Sequence, residues 1–200
     1  MTYTLVADGT SDRVLLPILT WSLRLRRVTP VVEQWADLTR IPRQRNTEDR
    51  LRAVLDLYPC DVLFVHRDSE GEPYASRRAE IASFLRWASV PHVPVVPVRM
   101  TEAWLLANEM AIRSAAGNPN GTADLNLPDV RRLEDLPDPK KVLHDALTLA
   151  SGLNAGRRAR LPVSQRVHLI PYFIDDYSPL NLLPAFQTLQ QDILALLQNL

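Results

Sequence analysis

The sequence predicts an α/β fold in which a roughly four-stranded, mainly parallel sheet is flanked by helices. Short apolar runs alternate with segments of helical periodicity in the first half of the chain, a pattern that is typical of βαβ units. The clearest run, residues 61–65, is apolar without alternation, as expected of a central strand covered on both faces. Because crossovers between parallel strands are right-handed, all the carboxyl ends should meet at one edge of the sheet, where ligands bind in such folds.

The predicted elements follow from apolar spacing and from turn residues. Strands are predicted over residues 3–7, 29–34, 61–65 and 93–98, and helices over residues 11–27, 47–57, 76–88 and 101–110. Thr47 and Thr101 are the predicted N-caps of their helices, because a threonine hydroxyl accepts a hydrogen bond from a free backbone N–H. Pro91, Pro94 and Pro97 cannot donate ladder hydrogen bonds, so the strand that they crowd is predicted to be short or to lie at an edge of the sheet.

The composition of the sequence changes after residue 116. Residues 1–116 are the predicted α/β core, and residues 117–139 are an irregular connection rich in asparagine, glycine and proline. Residues 140–200 are predicted to be a helical appendage packed on the core, with helices over 140–149, 164–173 and 179–197 and a basic loop over 157–160. We expect the three parts to form one structural unit.

Composition and charge exclude several classes of protein. The 200-residue chain is 46% hydrophobic and has 23 basic and 23 acidic residues, so it can bury a core and is not a strongly basic coat protein for nucleic acid. All basic residues except Lys140 and Lys141 are arginines, which bind phosphate in a bidentate manner. The single cysteine, Cys60, excludes a disulfide framework and a multi-cysteine zinc site. Neither an apolar run of about 20 residues nor a signal-peptide pattern is present, so we expect a cytoplasmic protein without a membrane partner.

Acidic residues follow three of the predicted strands: Asp8 and Asp12 after the first, Asp68 and Glu70 after the central one, and Glu102 after the strand over residues 93–98. In a parallel sheet these carboxylates would meet at one edge and bind Mg²⁺ or Mn²⁺. Two such ions about 4 Å apart would hold both the attacking and the leaving oxygen of a phosphodiester. Each acid taken singly also has a structural interpretation, as a helix cap, a charge favoured by a helix dipole or part of a solvated turn.

Arginines supply the positive charge that a phosphate site needs. Residues 24–52 are the most basic stretch, with eight arginines against four acidic residues. Together with Arg99 and residues 157–160, this stretch would bind a phosphate backbone that leads towards the acids. A solvated face rich in ion pairs is the alternative interpretation of the same residues.

Several motifs resemble a small TOPRIM-like family of bacterial proteins. Residues 8–12, Asp-Gly-Thr-Ser-Asp, resemble the opening acidic motif of TOPRIM domains, and the acid pair after Val65 resembles their Asp-x-Asp motif. Residues 97–107, Pro-Val-Arg-Met-Thr-Glu-Ala-Trp-Leu-Leu-Ala, look like a more specific motif of the small family, and residues 175–186 resemble its end. The resemblance implies a compact α/β fold with a Mg²⁺-type acidic site, related to those of the OLD-like and RloB-like phage-defence nucleases.

Two positions depart from the TOPRIM pattern. Asp8 stands where glutamate is usual, and His66 stands where the first aspartate of Asp-x-Asp is normally found. Either Glu70 completes a shifted Asp-x-Glu pair, or His66 is a softer ligand that favours Mn²⁺. OLD-type nucleases also have an active-site lysine, but neither lysine of this chain lies in a matching motif, so Arg67 or Arg99 would supply the positive charge.

The candidate site therefore has three groups of residues. The predicted metal ligands are Asp8, Asp12, His66, Asp68, Glu70 and Glu102. The predicted catalytic residues are Asp8, Asp68, Arg99 and Glu102. The predicted phosphate-binding residues are Arg43, Arg45, Arg67 and Arg99.

Three hypotheses for function follow. The first is a nuclease-like, metal-dependent phosphodiester hydrolase that acts on nucleic acid with Mg²⁺ or Mn²⁺ and, by the resemblance, takes part in phage defence. The alternative, favoured by the changes at Asp8 and His66, is a catalytically weak TOPRIM module that binds nucleic acid or a partner ATPase. The third is a domain that binds a nucleotide or a small phosphate, which has less support. Gly9 is the only glycine of the first turn, so neither a P-loop nor a dinucleotide-binding motif is present.

Overall fold

Four parallel strands form one sheet. The computed structural model describes residues 1–42 and 46–200, and its strands are β1 (Thr2–Val6), β2 (Val32–Trp35), β3 (Val62–His66) and β4 (His92–Val95). Their order across the sheet is β2-β1-β3-β4, and each neighbouring pair is parallel. The predicted α/β class and the four-stranded sheet are therefore confirmed, and all the pairing among the described residues is parallel.

Helices connect the strands. Those that follow β1, β2 and β3 are α1 (Leu15–Arg24), α2 (Thr47–Leu57) and α3 (Tyr74–Phe84). A 3₁₀ helix, Thr10–Val14, precedes α1, so the predicted helix over residues 11–27 consists of two pieces and ends earlier. The prediction of Thr47 as the N-cap of α2 is wrong. Asn46 has the extended backbone that a cap needs, and its side-chain oxygen accepts a hydrogen bond from the Asp49 N–H at 2.8 Å.

The central strands are buried because apolar side chains cover both of their faces. Successive side chains of a strand point to opposite faces of the sheet. On one face, Leu63 and Val65 of β3 belong to an apolar cluster to which α2 and α3 also contribute. On the other face, the rings of Tyr3 and Phe64 meet edge to face, with centroids 5.3 Å apart. This packing fixes the ends of β1 and β3, where the candidate site lies.

β4 lies at one edge of the sheet, as its prolines predict. The strand covers His92–Val95, so it is shorter than the predicted strand over residues 93–98. β2 lies at the opposite edge. The two strands that carry the acids of the first and central turns are therefore neighbours in the middle of the sheet.

The chain divides into two compact units. The first contains Met1–Val96 and Thr188–Leu200, and the second contains Pro97–Gln187. This division differs from the predicted boundaries at residues 116 and 139, since the first two helices after β4 pack with later helices of the second unit. No helix within the described residues has the length and apolar composition needed to cross a membrane.

Short helices make up the second unit in the part of the chain that is described. They are α4 (Glu102–Leu105), α5 (Glu109–Ala115), α6 (Pro139–Ala150), α7 (Ala155–Arg158) and α8 (Val163–Val167), together with 3₁₀ helices over Val130–Asp135, Ile170–Phe173 and Ser178–Leu182. Trp104 and Phe186 are buried in this unit, with ring centroids 5.3 Å apart. A last helix, α9 (Pro184–Gln198), begins in the second unit and ends in the first.

Two sequence predictions for the second unit are wrong. The predicted helix over residues 101–110 is interrupted, because Asn108 caps α5 by accepting a hydrogen bond from the Ala111 N–H at 2.9 Å. The predicted basic loop over residues 157–160 is partly helical. Asn154 caps α7 there by accepting a hydrogen bond from the Arg157 N–H.

Candidate functional site

A polar cleft lies at the carboxyl ends of β1 and β3. Its volume is about 250 Å³, and all of its lining residues belong to the first unit. The lining consists of Asp8, Gly9, Ser11, Asp12, His66, Arg67, Asp68, Glu70 and Arg77. Because β1 and β3 are parallel neighbours, the residues that follow them meet at the same edge. The structure thus brings together the four acids that follow the first and central strands.

The first turn folds back on itself through Asp12. The Gly9 N–H donates a hydrogen bond to Asp12 Oδ2 at 3.2 Å, and the Asp12 N–H donates to the Gly9 carbonyl oxygen at 3.2 Å. A Cβ at position 9 would lie 3.3 Å from Asp12 Oδ2 and 3.1 Å from Ser11 Oγ, so glycine leaves room for the returning carboxylate. The turn therefore holds Asp12 against the cleft, with most of its side chain covered.

His66 is the most deeply buried side chain of the cleft. It ends β3, and only 3% of it is exposed. Its Nδ1 lies 3.0 Å from the Val95 carbonyl oxygen. Since a carbonyl oxygen can only accept, Nδ1 bears the proton and the neutral ring has its lone pair on Nε2. Burial lowers the pKa of His66, and the Asp12 charge opposes that change, so the imidazole is neutral at pH 7.

Two carboxylates face the other ring nitrogen. His66 Nε2 lies 3.7 Å from Asp12 Oδ2 and 3.5 Å from Asp68 Oδ1. Because the ring is neutral with its proton on Nδ1, three atoms with lone pairs converge here, and together they attract a cation. An imidazole that donates its other N–H to a backbone carbonyl is typical of metal-binding histidines.

Arg67 and Arg77 belong to the lining, and Arg50 and Glu80 pair with lining residues. Asp8 Oδ1 lies 3.2 Å from Arg50 Nη2, and Asp8 Oδ2 lies 3.5 Å from Arg67 Nε. Glu80, on α3, accepts hydrogen bonds from both Arg67 and Arg77. The Asp8 carboxylate is therefore paired with two arginines.

Two described residues predicted for the site, Arg99 and Glu102, are not part of this lining. Arg99 is exposed, with a φ of 65°, and Glu102 is half-buried at the start of α4; both belong to the second unit. Their catalytic and ligand roles stay predictions. Arg43 and Arg45, the other two predicted phosphate-binding residues, lie outside the described residues.

The sequence prediction does not include Arg77, which lines the cleft, or Glu80, which pairs with it, and it includes Arg50 only as part of the basic stretch over residues 24–52. Arg50 is the fourth residue of α2, and Arg77 is the fourth residue of α3. A helix that follows a parallel strand starts at the carboxyl edge of the sheet, so its first turns face ligands bound there. A search for charged residues in those turns would have found both arginines. Glu80 would follow as the residue one turn after Arg77.

The donor atoms of the cleft fit a divalent cation in kind. Two carboxylates and one imidazole with its lone pair on Nε2 are ligands that Mn²⁺ accepts, and carboxylates alone suit Mg²⁺. Among residues 1–42 and 46–200, no group of three or more His, Cys, Asp or Glu side chains is already arranged to hold a metal ion. Binding would therefore require the carboxylates to move towards His66 Nε2.

Comparison with known proteins gives no match, so the geometry of the site is the evidence for its function. No family model, no curated protein and no solved structure matches the chain. The resemblance to TOPRIM domains stays a prediction from the sequence.

Proposed function

We propose that the first unit hydrolyses phosphodiester bonds of nucleic acid in this cleft, with Mn²⁺ or Mg²⁺ as cofactor. The supporting observation is the imidazole of His66, whose Nε2 lies within 3.7 Å of two carboxylate oxygens. A charged histidine paired with two acids would explain the same distances. Burial argues against that explanation, since it lowers the pKa of His66.

Each side chain has a role that follows from its environment. Asp12, His66 and Asp68 would hold the cation, which supplies positive charge at the phosphate oxygens and makes a nearby water molecule more acidic. Asp8 has 54% of its side chain exposed, so it can reach an attacking water and accept its proton. Arg67 would donate hydrogen bonds to the phosphate and stabilise the negative charge that develops on it.

Cleavage of labelled oligonucleotides tests this proposal. The purified full chain is incubated with Mn²⁺ and with single-stranded or duplex DNA or RNA, and the products are separated by size. We expect cleavage that EDTA abolishes. Asp68→Asn should reduce the rate by about a hundredfold, because one carboxylate of the donor set loses its charge.

Asp61→Asn is the matched control. Asp61 precedes β3 and Asp68 follows it, so the same substitution is made at opposite ends of one strand. Asp61 Oδ2 accepts a hydrogen bond from the Thr2 N–H at 2.7 Å, and asparagine keeps an oxygen for that bond. We expect Asp61→Asn to cleave at the wild-type rate. Equal rates in the wild type and in Asp68→Asn would contradict the assigned site.

A binding module without catalytic activity is the second candidate. It is favoured by the pairing of Asp8 with Arg50 and Arg67, and by the absence of a ready group of three ligands among the described residues. On this view the cleft binds nucleic acid or a partner ATPase through its arginines. Calorimetric titration with Mn²⁺ separates the candidates. Heat that disappears in Asp68→Asn supports the hydrolase, whereas oligonucleotide binding without Mn²⁺ binding supports the module.

A further inference from the structure

Glu80 holds two arginines at the wall of the cleft. Its Oε1 accepts a hydrogen bond from Arg67 Nη1, and its Oε2 accepts one from Arg77 Nη1. Both arginines line the cleft, and each oxygen of the carboxylate holds a different guanidinium group. Groups fixed in this way lose less conformational entropy on binding an anion than free surface arginines do.

Arg77 has a donor that the described residues do not use. Its side chain is only 12% exposed, and its buried Nε has no acceptor among residues 1–42 and 46–200. A buried N–H without an acceptor is costly, and more so in a charged group. Another part of Arg77 lines the cleft, so an anion bound there would contact its guanidinium group.

The Asp8 carboxylate already takes the position of an anion between two arginines. One of its oxygens lies 3.2 Å from Arg50 Nη2, and the other lies 3.5 Å from Arg67 Nε. Two oxygens of a phosphate group bind guanidinium groups in the same manner. All three side chains are about one third exposed or more, so their ion pairs are weak and a phosphate can displace the carboxylate.

The attraction for a phosphate group comes from the three arginines and not from the net charge of the cleft. Arg50, Arg67 and Arg77 carry three positive charges, and Asp8 and Glu80 carry two negative charges. Asp12, Asp68 and Glu70 add three negative charges elsewhere in the lining. When Asp8 leaves its arginines, a phosphate group takes over both of its ion pairs and makes further hydrogen bonds.

We propose that Arg50, Arg67 and Arg77 form a phosphate-binding subsite that Asp8 occupies until a phosphate group displaces its carboxylate. Glu80 is the positioning residue of the subsite. This inference rests on the proposed function, in which the displaced Asp8 accepts a proton from the attacking water. The subsite would thus make that proton acceptor available only when a phosphate group is bound.

Titration with inorganic phosphate in the presence of EDTA tests the subsite without metal and without hydrolysis. Isothermal calorimetry compares the wild type with variants at the arginines and at the competing carboxylate. We expect Asp8→Asn to raise the affinity about three- to tenfold, because the internal competitor loses its charge. Arg50→Ala should lower the affinity about tenfold, because a charge-assisted hydrogen bond is lost.

Asp61→Asn is the matched control for Asp8→Asn. It is the same substitution and removes the same charge, but Asp61 lies at the opposite end of β3 from the cleft. No ion pair with Arg50, Arg67 or Arg77 is formed by Asp61 among the described residues, so the affinity should change by less than about twofold. Equal increases in both variants would overturn the role of Asp8, since general charge would then explain them. Unchanged affinity in Arg50→Ala would overturn the subsite.

Glu80→Gln tests the positioning role. Glutamine replaces one of the two carboxylate oxygens by an NH₂ donor, so one arginine loses the oxygen that holds it. The side-chain Nε–H resonances of Arg67 and Arg77 should shift on phosphate addition in the wild type and respond much less in the variant. Wild-type affinity and wild-type resonance shifts in Glu80→Gln would overturn the role. If the nuclease assay fails but phosphate titration behaves as expected, the subsite stands and the hydrolase proposal falls.

Discussion

The ring of His66 is buried and lies beside two carboxylates. Burial lowers the pKa of the ring, whereas negative charge nearby raises it. Burial is the largest effect and lowers the pKa, whereas the charge of Asp12 and the hydrogen bond to Val95 raise it. The folded protein therefore takes up a proton at this ring less readily than the unfolded chain does. This difference makes the ring a source of pH-dependent stability.

We expect the stability difference between the wild type and His66→Asn to shrink as the pH falls below about 6.5, the pKa of an unfolded histidine. The folded pKa is lower, so in this range the unfolded state binds more protons and the free energy of unfolding falls with the pH. Asparagine does not titrate, and its side-chain N–H can still donate to Val95. Urea unfolding at a series of pH values measures the difference. A difference that widens on acidification would mean that the folded ring is charged.

The residue types of the cleft can be predicted from the sequence, but their pairing cannot. Asp8, Asp12 and Asp68 follow two strands directly, so parallel topology alone gathers them. The tautomer of His66 depends on a carbonyl 29 residues away in another strand. The ion pair between Asp8 and Arg50 depends on the path of α2. Such relations leave no local pattern in the chain.

Elements with strong apolar periodicity match their predictions closely. The central strand is predicted over residues 61–65 and is observed as β3 (Val62–His66), and α2 covers the predicted residues 47–57. Elements decided by a single side chain do not match. Asn46 caps α2 through one hydrogen bond, so the N-cap lies one residue before the predicted Thr47. Asn108 caps α5 in the same way and divides the helix predicted over residues 101–110.

Asn46→Ala should lower the free energy of unfolding by about 1 kcal/mol, because the Asp49 N–H at the start of α2 loses its acceptor. Arg50 lies in the turn that would fray, so the affinity for phosphate should fall as well, though less than in Arg50→Ala. Urea unfolding and phosphate calorimetry measure the two effects. Asn46→Ser is the control, since the serine hydroxyl keeps an oxygen for the cap without adding a charge beside Asp49. Equal stability of the alanine and serine variants would contradict the capping role.

The division of the whole molecule is not visible in the sequence because distant residues complete the first unit. Gln190 Nε2 donates to Ser22 Oγ at 2.7 Å, and Arg26 Nη1 donates to Gln190 Oε1 at 2.6 Å. Arg78 pairs with Asp192 at 2.6 Å. These partners are separated by more than 100 residues of sequence. Composition after residue 116 suggests an irregular connection and then a helical appendage over residues 140–200, whereas residues 188–200 belong to the same unit as the sheet.

Deletion of residues 188–200 should therefore destabilise the first unit. The deletion removes the buried side chains of Leu189 and Ile193 as well as the partners of Ser22, Arg26 and Arg78. We expect the Tm followed by circular dichroism to fall by about 10 °C or more, or folding to be lost. Deletion of residues 199–200, which are exposed, is the control and should leave the Tm nearly unchanged. An unchanged Tm after the longer deletion would show that the first unit is stable without this segment.

One main-chain oxygen binds two consecutive residues of the cleft lining, His66 and Arg67. The Val95 carbonyl accepts hydrogen bonds from His66 Nδ1 at 3.0 Å and from the Arg67 N–H at 3.2 Å. No side-chain substitution at position 95 can delete this acceptor, so an alanine scan would not detect it. An ester in place of the amide between residues 95 and 96 would weaken it and leave every side chain intact. Substitutions in β4 should therefore leave the tautomer of His66 unchanged, provided that the strand keeps its register.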